Sequence, residues 1–253
     1  MLETRARIGV SRIALAAALV AVVALAGVAA YVAIAPSGQA TSTRTSSSTS
    51  SSTSTLAAPP SVTVTAVPPS PLISPGETQN YSSILISAAG PGANATITVR
   101  AFPPTGLSLV LNQTSVPLAE VAQSIPIVLK ASPGISPGNY TVTIETNSSA
   151  VAASNETFKV QVVPVLVIMQ DLAFHPANIT VARGTPVTWL NLDSTIGCCD
   201  PGYHTVSFLS GATATSPILK MFYSWSYTFG TDGVVDYYCT IHPYMKGQVT
   251  VTG

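Results

Sequence analysis

The chain has 253 residues with ten Lys/Arg against ten Asp/Glu; 8 % of its residues are charged and 47 % are hydrophobic. That length allows one or two domains. Zero formal net charge and no basic block leave nothing for a polyanion to grip, which argues against nucleic acid as a partner.

Part of the apolar skew is local. Arg5, Arg7 and Arg12 precede an uncharged apolar run, residues 13–35, of 23 residues. About 20 apolar residues span the hydrocarbon core of a bilayer, and cations before such a run hold the N-terminus in the cytoplasm. Residues 1–35 are therefore expected to form a transmembrane helix that anchors the protein. The rival reading is a cleaved signal peptide. Ala33-Ile34-Ala35 has the form of a cleavage site, although signal peptides carry apolar cores of only ~7–15 residues. Either way everything after Ala35 is exported. The expected location is the cell membrane, single-pass, with the C-terminal domains extracytoplasmic. The exported part carries seven Lys/Arg and nine Asp/Glu, a net charge of −2.

Residues 36–60 are nearly all Ser, Thr, Ala and Pro. Such a composition cannot build a core and reads as a flexible or O-glycosylated stalk. Asn-x-Ser/Thr triplets begin at Asn80, Asn94, Asn112, Asn139, Asn147, Asn155 and Asn178, none with Pro in the middle. The set fits a glycoprotein exposed outside the cell.

Beyond the stalk the apolar period becomes two. Residues 62–67, 95–100 and 140–145 alternate strictly, and short apolar runs occupy 83–87, 107–111, 125–129 and 158–163. Ser74-Pro75-Gly76, Gly90-Pro91-Gly92 and Ser136-Pro137-Gly138 supply turns between them. Residues 61–163 are thus expected to form an antiparallel β-sandwich, an immunoglobulin-like spacer by pattern. The segment holds no His and no Cys, and no chemistry is assigned to it.

A second all-β domain is expected over residues 164–253, with strands at 165–169, 179–182, 187–191, 204–208, 226–229, 234–238 and 248–251. Its last part reads Tyr238-Cys239-Thr240-Ile241-His242-Pro243-Tyr244-Met245. A thiol, an imidazole and a thioether follow one another at intervals of three on one short loop after a strand. Soft sulfur with borderline nitrogen suits copper, and two His, one Cys and a weak axial Met make the blue-copper donor set. The second imidazole is found in Gly202-Tyr203-His204-Thr205-Val206, expected to start another strand. The candidate metal ligands are therefore His204, Cys239, His242 and Met245, with Pro243 stiffening the loop. His175, before a proline at a strand edge, reads as a surface residue.

These residues carry a resemblance. Phe174-His175-Pro176-Ala177-Asn178-Ile179, Val187-Thr188-Trp189-Leu190-Asn191, His204-Thr205-Val206 and the Cys-x2-His-x2-Met loop together resemble the cupredoxin (type 1 blue copper) family, in its amicyanin- and plastocyanin-like branch. The resemblance covers about a third of the chain. It implies a Greek-key β-sandwich with one copper near one end, and a role for Asn191 in tying down the ligand loops. The chain departs from the pattern in an insertion-like loop, Ser194-Thr195-Ile196-Gly197-Cys198-Cys199-Asp200-Pro201, directly before His204. That loop would shield the site, shape a docking face, or bring a second thiol near the metal. Adjacent Cα atoms lie about 3.8 Å apart, short of the usual disulfide window of roughly 4.4–6.8 Å. For Cys198 and Cys199, free thiols, a strained vicinal bridge and an intermolecular link all stay open. Met221, Phe222, Tyr223 and Trp225 read either as an apolar docking patch at the copper end or as ordinary packing.

The expected function is a membrane-anchored one-electron carrier between redox partner proteins at the outer membrane face. It is not an enzyme and takes no small-molecule substrate. Three His in all cannot furnish the further copper centres of a multicopper oxidase or nitrite reductase. A single loop Cys excludes a dinuclear oxidase-type site. The alternative is a copper storage or delivery protein, or a surface adhesin carrying a cupredoxin module.

Overall fold

The computed structural model describes residues 61–89, 95–117, 121–195 and 199–253. The expected anchor and stalk, Asn94 and Cys198 lie outside them. The described residues belong to one compact unit. Their regular structure is all β, and among them no helix is long and apolar enough to cross a membrane.

The first half pairs two sheets. One has the order β1 (Ser61–Val67), β3 (Thr78–Ala89), β7 (Gln123–Ala131), β5 (Leu107–Leu111). The other has the order β2 (Leu72–Ile73), β9 (Ser154–Val162), β8 (Gly138–Asn147), β4 (Thr96–Phe102), β6 (Ser115–Pro117). Side chains alternate across a strand, so a period of two puts one set of residues inside. In β7 the inward set is Ile125, Ile127, Leu129 and Ala131, and in β8 it includes Val142 and Ile144. They share one aliphatic core with Ile84, Ile86, Ile97 and Val99. The short β2 and β6 have no periodicity to read and were not expected from the sequence.

The second half again faces two sheets across one core. One has the order β11 (Ala173–His175), β10 (Val165–Gln170), β13 (Pro186–Asn191), β15 (Ser224–Thr228); the other, β12 (Asn178–Ala182), β17 (Lys246–Thr252), β16 (Gly233–Tyr238), β14 (Ser207–Phe208). Each sheet contains one parallel pair, β10 with β13 and β12 with β17. The chain passes to the opposite sheet between the members of each pair. The core combines valines with a cluster of aromatic rings. Trp189 packs edge-on against Tyr237 at 5.5 Å and beside Trp225 at 5.6 Å, and Phe208 meets Tyr227 and Phe229. Such contacts add ~0.5–1.5 kcal/mol each beyond burial. Trp225 therefore belongs to packing, whereas Tyr223 is exposed. Gly247, where β17 leaves the ligand loop, has no side chain to strike the Tyr237 ring and the Ala177 carbonyl; Tyr237 donates to that carbonyl at 3.1 Å.

A smaller apolar cluster joins the halves. Leu72 and Val163 pack with the fully buried Leu190 of β13, and Tyr81, Leu166, Ile168 and Leu192 close around them. Tyr81 is latched there, its hydroxyl donating to the Leu72 carbonyl at 2.6 Å. Burial pushes its phenol pKa far up.

Candidate metal centre

The donor loop grows directly out of β16. Cys239 follows the strand and is fully buried. The chain then folds back on itself: the Met245 amide donates to the His242 carbonyl at 2.9 Å, and the Cys239 amide to the Met245 carbonyl at 3.1 Å. His242–Met245 is thus a β-turn with Pro243 in its second position, where the fixed φ of proline fits. The turn brings His242, with Met245 buried in the core beside Cys239.

His204 arrives from elsewhere, and not as expected. The strand read at 204–208 is restricted to Ser207–Phe208. His204 forms an isolated bridge with Leu219. The reason is local: the Val206 amide goes to the Ser216 hydroxyl at 2.8 Å instead of to a neighbouring strand. What fixes His204 is Asn191, at the end of β13. Its side-chain amide donates to the carbonyls of Gly202 and Leu219 at 2.7 and 2.8 Å, one before His204 and one on its bridge partner. Gly202 has φ +68°, and a side chain there would run into the Ser194 carbonyl, so the approach to His204 requires glycine.

His204, Cys239 and His242 converge as one buried cluster. His204 Nδ1 lies 3.1 Å from His242 Nδ1, and each lies 3.8 Å from Cys239 Sγ. The centre of that triangle is about 2.1 Å from every corner, close to the roughly 2.0–2.3 Å that zinc takes to nitrogen and sulfur. One first-row ion therefore fits. Copper is the ion that this donor chemistry suits, two imidazoles and a thiolate with a thioether nearby.

The outer ring nitrogens are both occupied. His204 Nε2 is 2.8 Å from Asp193 Oδ2, and His242 Nε2 is 2.7 Å from Asp200 Oδ2. A carboxylate on Nε2 takes that N–H and leaves the Nδ1 lone pair for a metal. Asp193 is itself gripped by the amides of Asp171 and Leu172 at 2.7 and 3.1 Å. Those two residues form the β10–β11 turn with φ of 54° and 58°, a left-handed conformation uncommon outside glycine. The turn aims both amides at one carboxylate.

The sulfur is held ready as an anion. Burial opposes ionisation of Cys239, but the His204 bond and the Thr205 amide, 3.4 Å from Sγ, outweigh it and bring the thiol down to about 6. For His204 burial also opposes charge; Cys239 and Asp193 outweigh it and raise the imidazole. Asp200 is lowered, chiefly by the Gly202 amide, against burial and with help from His242. Thr205 also clamps the loop: its hydroxyl accepts from the Thr240 amide at 2.8 Å.

Asp193, Asp200 and Thr205 were not singled out from the sequence. Asp193 stands two residues after Asn191, and Asp200 sits in the loop that departs from the resembled pattern. His175 is exposed, its ring 3.1 Å from the Gln170 carbonyl. Cys199 is exposed and is not one of the three clustered donors. The asparagines of the six described glycosylation triplets are all exposed.

No family model matches the chain. Among curated proteins it is similar to amicyanin of Paracoccus denitrificans, 31 % identical over 91 residues covering 34 % of this chain. It is also similar to amicyanin-alpha of Methylorubrum extorquens, 32 % identical over 84 residues covering 32 % of this chain. The chain spans 64 % and 65 % of the lengths of these two relatives. Similar solved structures include a Cu(I) amicyanin variant, 29 % identical with TM-score 0.31, covering 35 % of this chain and 81 % of that one. Another is a purple cupredoxin from Nitrosopumilus maritimus, 28 % identical with TM-score 0.30, covering 35 % of this chain and 99 % of that one.

Proposed function

We propose that the C-terminal third of the chain, which is similar to amicyanin over 91 residues, is a cupredoxin-family domain and that the protein is an extracytoplasmic blue copper electron carrier. The observation that carries this reading is the triangle of His204 Nδ1, His242 Nδ1 and Cys239 Sγ, with both outer nitrogens already bound to carboxylates. Copper bound there supplies a one-electron couple. The chain does the rest. Asp193 and Asp200 orient the rings, Thr205 steadies the thiolate, and burial keeps water from the donors. Met245, buried in the same core, would add a weak thioether donor. A frame fixed by so many bonds changes little between oxidation states, which favours rapid exchange. Buried donors also support retention of the metal over its handover, against the delivery alternative.

The finer assignment follows from the sequence. Residues 13–35 act as a single membrane span, the stalk and the first, immunoglobulin-like sandwich hold the copper domain off the surface, and the redox partners are proteins at the outer membrane face. Tethering raises the effective concentration near such partners. The exposed asparagines support glycosylation.

The test is copper titration of the purified chain followed by optical and EPR spectra. One Cu(II) per chain, a strong thiolate charge-transfer band and narrow copper hyperfine splitting are expected. Weak, colourless or multi-ion binding would overturn the reading.

A further inference from the structure

Two carboxylates flank the donor triangle, and they are built differently. Asp193 is buried and shares its oxygens among the Asp171 amide, the Leu172 amide and His204. Asp200 is 29 % exposed at its side chain and lies on the loop that the resembled pattern lacks. One of its oxygens accepts the Gly202 amide at 2.8 Å; the other meets His242 Nε2 at 2.7 Å. The loop end is pinned where Asn191 holds the Gly202 carbonyl. His242 is the donor nearer the solvent, with 9 % of its side chain accessible, and Asp200 stands over its outer edge.

We propose that Asp200 is a positioning residue for electron transfer. Its carboxylate fixes the ring of His242 with Nδ1 turned inward and raises the donor strength of that ring. This rests on the electron-carrier reading above. An anion hydrogen-bonded to a ligand imidazole makes it a stronger donor, and a stronger donor favours the more highly charged Cu(II) over Cu(I). Asp200 therefore lowers the reduction potential and resists loss of the His242 bond in the reduced state. Asp200, fixed by the Gly202 amide, brings this carboxylate to an otherwise solvent-facing ligand.

The experiment compares the full-length protein with Asp200→Asn and Asp200→Glu. Wild type is loaded with copper first. If it shows no thiolate charge-transfer band, the electron-carrier reading fails on its own account. Given that band, Asp200→Asn is expected to weaken Cu(II) binding ~10–100-fold, with a smaller loss for Cu(I). A tenfold difference between the two states raises the potential by about 59 mV. Asp200→Glu, which keeps the carboxylate, is expected to restore most of the shift. In the metal-free protein, ¹⁵N NMR of His242 should show one tautomer in wild type and a mixture in Asp200→Asn. An unchanged potential and unchanged His242 tautomer in a folded variant would overturn the proposal, as would an equal shift in Asp200→Glu.

Discussion

The first sandwich is filled with aliphatic side chains, and its buried polar residues are Ser74, Gln79, Ser82 and Thr146. The second mixes valines with the rings of Phe174, Trp189, Phe229 and Tyr237 and carries Thr188, Asn191, Asp193, His204, Thr205, Ser207, Ser216 and His242 out of solvent. Burying a polar group is costly unless it finds a partner. In the second half Asn191, Asp193, Thr205 and both histidines form one bonded set around a thiol. The contrast separates two purposes. A mostly apolar interior needs only to be stable, whereas this many partnered polar groups around one thiol suit a metal site.

The two halves differ most at the sulfur. Cys239→Ser should abolish the intense colour of the copper-loaded protein while the fold persists, as read by optical spectra and circular dichroism. Colour surviving the substitution would make Cys198 or Cys199 the donor. In the first half, Ile127→Ala should cost about 2–5 kcal/mol in denaturant unfolding and leave the copper spectrum unaltered; a changed spectrum would mean that the two interiors are not separate in purpose.

Acidity sharpens the contrast further, because the first half has no His or Cys to titrate. The folded thiol at about 6 lies below the ordinary thiol value of about 8.5. Its contribution to stability is therefore complete above that ordinary value and is lost as the pH falls through about 6. For His204, which is raised, the contribution is complete below the ordinary histidine range and is lost as the pH rises through its folded value. Ultraviolet thiolate absorbance of the metal-free protein should thus fade near pH 6, and copper affinity should drop about tenfold per unit below that. Absorbance that persists well below pH 6 would contradict the assignment. The smallest effect expected is that of Met245→Leu, a raised reduction potential from loss of a weak axial donor. An unchanged potential would remove Met245 from the axial position.

Much of this was legible in the chain. Period-two alternation marked β1, β4 and β8, because a half-buried strand must repeat in twos. The donor loop was legible because its three donors are close in sequence and a turn suffices to gather them. Asp193 and Asp200 were not, since each acts on a ring 11 or 42 residues away, and only the folded chain brings them together. The Asp171–Leu172 turn was only half signalled: aspartate tolerates the left-handed region, whereas leucine gives no sign of it. The bridge at His204 replaced an expected strand because a serine hydroxyl took the place of a backbone partner.

The Leu72–Val163–Leu190 cluster bears on how the protein can be handled. β13 turns Trp189 and Asn191 toward the second core and its ligand loops and Leu190 toward the first sandwich. Cutting the chain at Pro164 to obtain a small copper protein would lay bare Leu166, Ile168, Leu190 and Leu192 together. Such a fragment would carry a sticky apolar flank next to the strand that orders the ligands, and it would be prone to self-association. A workable minimal version would either keep both sandwiches or resurface those four leucine and isoleucine positions with polar residues.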